Sequence, residues 1–563
     1  MLRFQSHCKR ALQFCFLALA FWQSPCLAQD NTKTAEQAVS AADMQAASNA
    51  INNFVETTSS ADQPLAFADF PWLTNILATE ESPTDSTAFS LDGAAAATPS
   101  FSVDNTDPQN TAGPASGQTS GINKNYTLKG NFFQRLVQFY QQDWAGTNPS
   151  TPLPSKRGLP APLDSPPFPS SDWIYGGAPD LGAPDGNTYP LMSALGLNDS
   201  RTKVYGWVAT SINFSTSANN NFPVSYDIFP NKIEVNQAVV YIERLPDTVQ
   251  NDHFDWGYHL TGFWGIDYRF TTAKGYFSQQ LLASNKQYGF DPVLEYFDLY
   301  FPVMDGLDIR VGRFLSVPGI EAQLAPNNYN MTHSLLYTID PFTDTGVYAS
   351  LKLNQQWMIQ FGVSCSHDVA CWTTDAQPSG IFCLNYSTSS NNDNFYGCAN
   401  GINQGKYAYN NLQDYDFTWY HKFNSKWHMA TETWYMYERD VPNVAGNVVN
   451  PITPEIGANG AFCKAGVQRC TAPEYAIVNY VNREINSKFM IGFRSDLLDD
   501  KKGQRTGFAT KYTENTLYAT KYIGSTVMLR PEIRFDHSWD LAAYNNGKAR
   551  NQLFFGMDLI YKF

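Results

Sequence analysis

Beyond its first 28 residues this 563-residue chain has no apolar run near the roughly 18 residues of a helical membrane span, and its mean hydropathy of −0.34 is too polar for a helix bundle in lipid. Charged residues make up only 16%, and the net charge of −14 argues against nucleic acid as a partner. Recognisable catalytic spacing is also missing. There is no Gly-x-Ser-x-Gly elbow, no His-Glu-x-x-His and no phosphate-binding glycine loop, and neither His333-Ser334 nor His537 beside Asp536 has the context of an activated nucleophile. Paired Cys-x-x-Cys spacing for zinc and EF-hand spacing for calcium are absent too. The sequence therefore predicts no enzyme, no catalytic residue, no cofactor and no metal site.

Aromatic residues, at 15%, are abundant. A polar chain rich in aromatics fits a β-barrel in a membrane, whose strands are half polar and whose rims carry aromatic belts. A large secreted sandwich or propeller has a similar composition, so position must decide. The last thirteen residues do so. Leu553, Phe555, Met557, Leu559, Tyr561 and Phe563 fall on one face of a strand, while Gln552, Gly556, Asp558 and Lys562 fall on the other. About 9–11 residues is the length of a tilted transmembrane strand, and a terminal aromatic fits a girdle. The stretch resembles the closing strand of an outer-membrane barrel.

The beginning of the chain agrees. Arg3, Lys9 and Arg10 precede an apolar core at Ala11–Trp22, and Leu27-Ala28 offers a small-residue cleavage site before Gln29, which together predict a secretory signal peptide over 1–28. A lipid-attachment reading of Cys26 is weaker, because Gln23-Ser24-Pro25 is not a small apolar approach. Removing 1–28 takes away three positive charges and no negative ones, so the net charge moves from −14 to −17. Six cysteines remain: Cys365, Cys371, Cys383, Cys398, Cys463 and Cys470. An even number in two Gly-, Asn- and Ser-rich stretches predicts disulfides in loops of an oxidising compartment, with local pairs preferred among the 15 connectivities that six cysteines allow.

Residues 29–148 read as a low-complexity periplasmic tail, largely disordered for want of large apolar residues. Within it Tyr126–Trp144 has helical spacing of Leu128, Phe132, Leu136, Phe139 and Tyr140, suited to docking on the periplasmic mouth. Residues 149–202 read as a Pro-rich linker. From 203 to 563 the pattern is an all-β, antiparallel up-and-down transmembrane barrel of about 14 strands (12–16). The longest alternation runs from His253 to Phe270, and the connections alternate short and long, as in outer-membrane barrels.

DWIYGG from Asp172, YGWV from Tyr205, NQAVVYIERLPD from Asn236, RVGRFLSVPGIEAQLAPNN from Arg310, RTGFATKYTENT from Arg505 and RPEIRFDHSW from Arg530 carry a family likeness. With the closing strand, they make the region from about Trp173 to Phe563 resemble the putative β-barrel porin-2 (OmpL-like) family of bacterial outer membranes. The resemblance implies a pore more firmly than any solute, and supplies no catalytic residues. It implies an outer-membrane porin for passive diffusion of small hydrophilic solutes or ions. The expected partners are outer-membrane lipid and those solutes, and a homo-oligomer is expected by analogy, a trimer.

In general porins the third long loop folds into the lumen. Here residues 315–344 carry Glu321, Asp340 and Asp344, with Pro318, Pro326 and Pro341 stiffening the path. Facing strands offer Arg310, Arg494, Arg530 and Arg534. Two readings stand open. Loop carboxylates opposite a guanidinium wall would set up a transverse field, or the arginines pair with Glu532, Asp536 and Asp496 and brace the wall. The alternative function is a nonconducting barrel that binds or adheres through its long extracellular loops.

Overall fold

The computed structural model describes residues 128–145, 189–244, 246, 252–284, 286–316, 319–354, 356–390, 392–424, 426–444, 460–486 and 488–563. The signal segment, the tail up to 127 and the proline-rich stretch 146–188 lie outside the described residues.

Seventeen strands follow one another: β1 (Thr202–Ser215), β2 (Ile233–Arg244), β3 (Asp255–Gly265), β4 (Gly289–Asp291), β5 (Glu295–Phe301), β6 (Leu307–Leu315), β7 (Thr343–Lys352), β8 (Trp357–His367) and β9 (Ser379–Ser387), then β10 (Asp393–Ile402), β11 (Gln413–Lys422), β12 (Trp427–Pro442), β13 (Arg469–Asn486), β14 (Phe489–Asp500), β15 (Thr510–Ile523), β16 (Val527–Ser538) and β17 (Asn551–Lys562). Each pairs antiparallel with its neighbours, and β17 pairs with β1 from Trp207↔Lys562 to Ser215↔Phe554, closing the sheet. β4 lies against Phe263–Gly265 and β5 against Asp255–Leu260 of the same β3, so the two form one interrupted stave. The barrel thus has sixteen staves. Closure leaves no unpaired edge, which is what lipid demands of a sheet.

Two staves beyond the predicted fourteen come from β9 and β10, inside what the sequence pattern reads as one loop over 366–412. Their outward residues, Phe382 and Leu384 among them, are apolar and exposed, but the inward ones are mostly small and polar (Asn385, Ser387, Asn394, Asn400, beside Ile381 and Tyr396), so the hairpin reads as loop composition. The His253–Phe270 alternation also stops early. β3 ends at Gly265, whose φ of 154° and whose missing Cβ, which would lie 1.9 Å from the Asn236 carbonyl oxygen, suit glycine alone. Ile266–Phe270 then turns inward, with Ile266, Tyr268 and Phe270 all buried.

The period-two pattern has its physical consequence in burial. Along β17, Leu553, Phe555 and Leu559 are exposed while Gln552, Phe554, Asp558 and Ile560 are buried. Outward Trp357, Trp427 and Phe423 lie at the short-turn ends of their strands. Trp264, Phe214, Tyr415 and Tyr475 lie at the long-loop ends. These are the two aromatic girdles of a membrane-crossing barrel. Among the described residues no helix is long and apolar enough to cross a membrane.

Short connections at 302–306, 353–356, 388–392, 423–426, 487–488 and 524–526 share one rim with both barrel ends, and the longer loops share the other. Short turns face the periplasm in such barrels. Helix α1 (Phe132–Ala145) docks on that rim. The buried Asp143 carboxylate accepts from Ser525 N and Oγ (3.0 Å each), Thr526 N (3.2 Å) and Thr526 Oγ1 (2.7 Å), and Tyr140 donates to the Lys562 carbonyl at 3.1 Å. Gly524, at φ 60°, allows this approach, because a Cβ there would sit 2.1 Å from Asp143 Oδ2. Arg135 Nε reaches the Ala194 carbonyl at 2.6 Å. Ala194 belongs to α2 (Pro190–Leu195), a short helix inside the stretch read as extended linker, and Tyr189 beside it packs edge-on against Tyr205 of β1.

Candidate channel lumen

Within the barrel the inward face of the staves meets the chain itself. The loop between β6 and β7, residues 316–342, is buried almost throughout its described residues, and it includes a turn of helix α3 (Leu335–Thr338) capped by Ser334, which accepts from Tyr337 N at 3.0 Å. Its apolar residues Ile320, Leu324, Leu335, Leu336 and Ile339 join one buried cluster with wall tyrosines 348, 420, 480 and 518. Its backbone is bonded to walls on several sides. Ile320 N donates to Glu432 of β12 (2.7 Å), Leu335 N to Asp496 of β14 (2.7 Å), and Met331 N and Thr332 N to Glu532 of β16 (3.2 and 3.0 Å). Gln237 of β2 takes both a donor and an acceptor role, at the Gln323 carbonyl (2.8 Å) and Ala325 N (3.0 Å).

Two further segments fold inward beside it, a feature the sequence pattern does not signal. The His333 ring stacks between Tyr226 (4.1 Å) of the β1–β2 loop and Tyr337 (4.3 Å), and Phe270 stacks on the far side of Tyr226 at 5.0 Å. Burial, reinforced by the charges of Arg494, Arg530 and Arg534, holds the His333 imidazole well below its ordinary pKa. His333 Nε2–H bonds the Ala322 carbonyl (2.8 Å), while the Ser334 hydroxyl turns to Glu321, so the two neighbours do not form a base and nucleophile pair. His537 bonds Asn551 Oδ1 at 2.6 Å.

All four arginines singled out from sequence are buried on the inner wall, each with a carboxylate. Arg310 meets Asp298 directly across the β5–β6 ladder through two bonds (2.7 and 2.9 Å) and lies over the Tyr296 ring. Arg494 pairs with Glu514 (2.9 Å), Arg530 with Asp558 opposite it (3.0 Å), and Arg534 with Asp536 on its own strand (2.9 Å). Period-two alternation places each pair on one face, so the partners are set by strand register. The spare guanidinium N–H groups of three of them then seize the loop: Arg494 the Thr332 carbonyl (2.6 Å), Arg530 those of Ala325 and Asn328 (2.8 and 2.9 Å), and Arg534 that of His333 (2.6 Å). Arg313, overlooked in the sequence, makes a fifth pair with Asp291 at 2.8 Å.

The three acidic residues assigned to the loop separate. Glu321 accepts from Ser334 N (2.9 Å) and Tyr480 Oη (2.8 Å), with Arg494 3.8 Å away, and burial pushes its pKa up against that charge. Asp340 sits on the other side, where burial and the charges of Asp414 and Glu432 push it well above the carboxylate range. Asp344 is in strand β7 rather than the loop and meets His367 at 3.1 Å. Pro318 lies outside the described residues.

The wall that Asp340 approaches carries carboxylates of a different kind. Asp414 and Asp416 of β11, Glu432 and Glu438 of β12, Glu474 of β13 and Asp500 of β14 are all buried and inward. Neither oxygen of Glu474 has a hydrogen-bond partner, nor does Asp414 Oδ1, while Asp416 and Glu432 bond to each other. The sequence signal was present as Asp-Tyr-Asp-Phe from 414, with acids on one face and aromatics on the other. Among the described residues no group of three or more His, Cys, Asp or Glu side chains is arranged to hold a metal ion.

All six cysteines are joined in local pairs, Cys365–Cys371, Cys383–Cys398 and Cys463–Cys470. The expectation that they lie in loops holds only for Cys371 and Cys463: Cys365 is in β8, Cys470 in β13, and both members of the third pair are in strands. Cys383 and Cys398 are directly opposed on β9 and β10, their side chains inside the barrel, because the stretch read as loop is a hairpin.

Residues 201–563, which hold the whole barrel, match the family model described as "Putative beta-barrel porin-2, OmpL-like". The chain belongs to this family. It is therefore a porin-type β-barrel of the bacterial outer membrane, and its short-turn rim faces the periplasm. Solved structures with a similar fold include an anion-selective porin from Comamonas acidovorans (TM-score 0.41, 10% identity, 64% of this chain and 99% of that one). They also include OmpT of Vibrio cholerae in its trimer form (0.40, 11%, 64% and 99%) and the outer membrane channel DcaP of Acinetobacter baumannii (0.40, 10%, 64% and 97%). At these scores the likeness carries nothing about solute or charge preference. No curated protein matches the sequence.

Proposed function

We propose that this porin is a passive diffusion channel for small hydrophilic solutes or ions, with the 316–342 loop as its constriction. The observation that carries the proposal is the suspension of that loop. Its amides are held by Glu432, Asp496 and Glu532, and its carbonyls by Arg494, Arg530 and Arg534, so that it sits inside the barrel with contacts to β12, β14 and β16. A segment narrows a lumen reproducibly only if it is fixed in place, and charge-assisted hydrogen bonds are the strong ones available. In this reading Arg494, Arg530 and Arg534 brace the loop, Arg310 braces the β5–β6 wall, and Glu321 ties the loop to Tyr480.

Reconstitution of the heat-tested, folded barrel in a planar bilayer tests the reading, which requires stepwise openings. A folded barrel that never conducts would favour the nonconducting alternative, in which the buried loop is a stopper and the long extracellular loops bind a partner. Export is part of the same proposal: cleavage after Ala28 makes Gln29 the first residue of the mature protein, which N-terminal sequencing checks.

A further inference from the structure

The inner wall is not charged evenly. On β14–β17 every buried strand arginine has a carboxylate at about 3 Å, whereas among the described residues β9–β13 turn a single lysine or arginine inward, Lys422 at the short-turn end of β11, opposite the buried His428. What β11–β13 present instead is a file of acids. Glu438, Glu474 and Asp500 stand at the long-loop end, where Glu474 is opposite Asp500 on one side and Met436 on the other. Asp414, also opposite Met436, comes next, then Asp416 opposite Trp434, then Glu432. From Glu438 to Glu432 is six residues of one strand, about 20 Å at 3.4 Å per residue.

Cationic groups near the file are few. Arg505, from the β14–β15 loop, is set against its outer part, but its own N–H groups are directed to the Ile339 carbonyl (3.1 and 2.8 Å) and Asn410 Oδ1 (2.6 Å). His367 is paired with Asp344. Hydrogen bonds satisfy some members: Asp500 accepts from Gln504 N and Thr506 N (3.0 and 2.9 Å), Glu438 from Ala408 N (3.0 Å), and Glu432 from Ile320 N. Asp416 shares a hydrogen bond only with the carboxyl group of Glu432, and Glu474 has no partner at either oxygen although it is 0% exposed. Asp340 faces the same file from the loop.

A buried carboxylate without a fixed partner is costly, and the cost is relieved either by a proton or by a mobile cation that takes the proton's place. Repeated at intervals along a wall, such groups form successive weak sites, the arrangement through which ions enter and leave rather than stay. We infer that monovalent cations cross the barrel along the β11–β13 wall, past Glu474, Asp414, Asp416 and Glu432, between that wall and the loop. The inference rests on the channel reading above and adds to it the sign of the permeant charge and the side of the loop on which it passes.

Reversal potentials in a KCl gradient across a planar bilayer test it, with wild type, the double variant Asp414→Asn/Asp416→Asn, the single variant Glu474→Gln and, as a control for total charge, Asp499→Asn. Asp499 neighbours Asp500 but faces outward and is paired with Lys501. The expected result is potassium preference in wild type, a fall of at least about threefold in the potassium-to-chloride ratio in the double variant, a smaller fall for Glu474→Gln and no change for Asp499→Asn. Should the double variant not fold, Glu474→Gln alone decides. Openings with no cation preference, or a preference that the inward variants leave unchanged, overturn the inference while the channel stands. A folded wild type that never opens overturns both.

Discussion

The two halves of the inner wall hold similar numbers of carboxylates and use them in opposite ways. On β14–β17 Glu514, Asp536 and Asp558 are partners of arginines that in turn grip the loop, and Asp496 and Glu532 hold its amides, so charge there fixes position. On β11–β13 the acids are neighbours of one another, and only Arg505 approaches them. A lumen that is acidic throughout can thus be mechanically stiff on one side and electrostatically attractive on the other. The difference lies in which strands carry Arg494, Arg530 and Arg534, and the total charge does not reveal it.

The largest break in that contrast is Arg530→Ala. It strands Asp558 as a buried charge and releases the carbonyls of Ala325 and Asn328, at a cost of about 3–5 kcal/mol, the range for breaking a buried pair. The unfolding midpoint in denaturant should fall and single-channel currents become noisier. Next is the Cys383→Ser/Cys398→Ser double variant. β9 and β10 have no inward ion pair among the described residues, and the bridge closes a separation of 15 residues, so about 3 kcal/mol should be lost in the same assay.

A comparable change should follow pH. Burial pushes Asp227, in the inward β1–β2 loop, up to about 6. The seated loop therefore binds a proton that the unseated loop has already released. Seating is strongest below the ordinary carboxylate pKa and weakens as pH rises through about 6, by about 3 kcal/mol in total. Protection factors for amide hydrogen exchange at 221–228, which remove the intrinsic pH dependence of exchange, should fall over that window in wild type, and the fall should vanish in Asp227→Asn. On the acid side the sign of a substitution reverses. Glu474→Gln removes a buried carboxyl group with no partner and should raise the unfolding midpoint, by about 1–2 kcal/mol. A loss equal to that of Arg530→Ala would erase the distinction between the walls. The smallest effect on the barrel belongs to Asp143→Ala and Gly524→Ala, which should each free α1 from the periplasmic rim, seen as faster proteolysis near residue 145, with conductance unchanged.

Period-two alternation made the outward face legible from sequence, because lipid asks only for apolarity at every second position; Leu553, Phe555 and Leu559 could be assigned by counting. It also made the arginines legible as inward. What they touch could not be read, since Arg530 meets Asp558 by strand register but meets Ala325 and Asn328 through a loop path of some two hundred residues' separation. Hairpin β9–β10 escaped because its inner face needs only small polar residues to fit a filled lumen. Asp414 and Asp416 were visible as inward acids. Their significance depends on the absence of arginine from neighbouring strands, which becomes apparent only when strands are set side by side.

The central claim is that the 316–342 loop narrows a conducting lumen. Replacing residues 320–338 by a short Gly/Ser link, in a barrel verified as folded by heat-modifiable migration, tests it through single-channel conductance. The account predicts openings in both proteins with a severalfold larger step in the shortened one. Equal steps, or a wild type and a shortened barrel that are both silent, would contradict it.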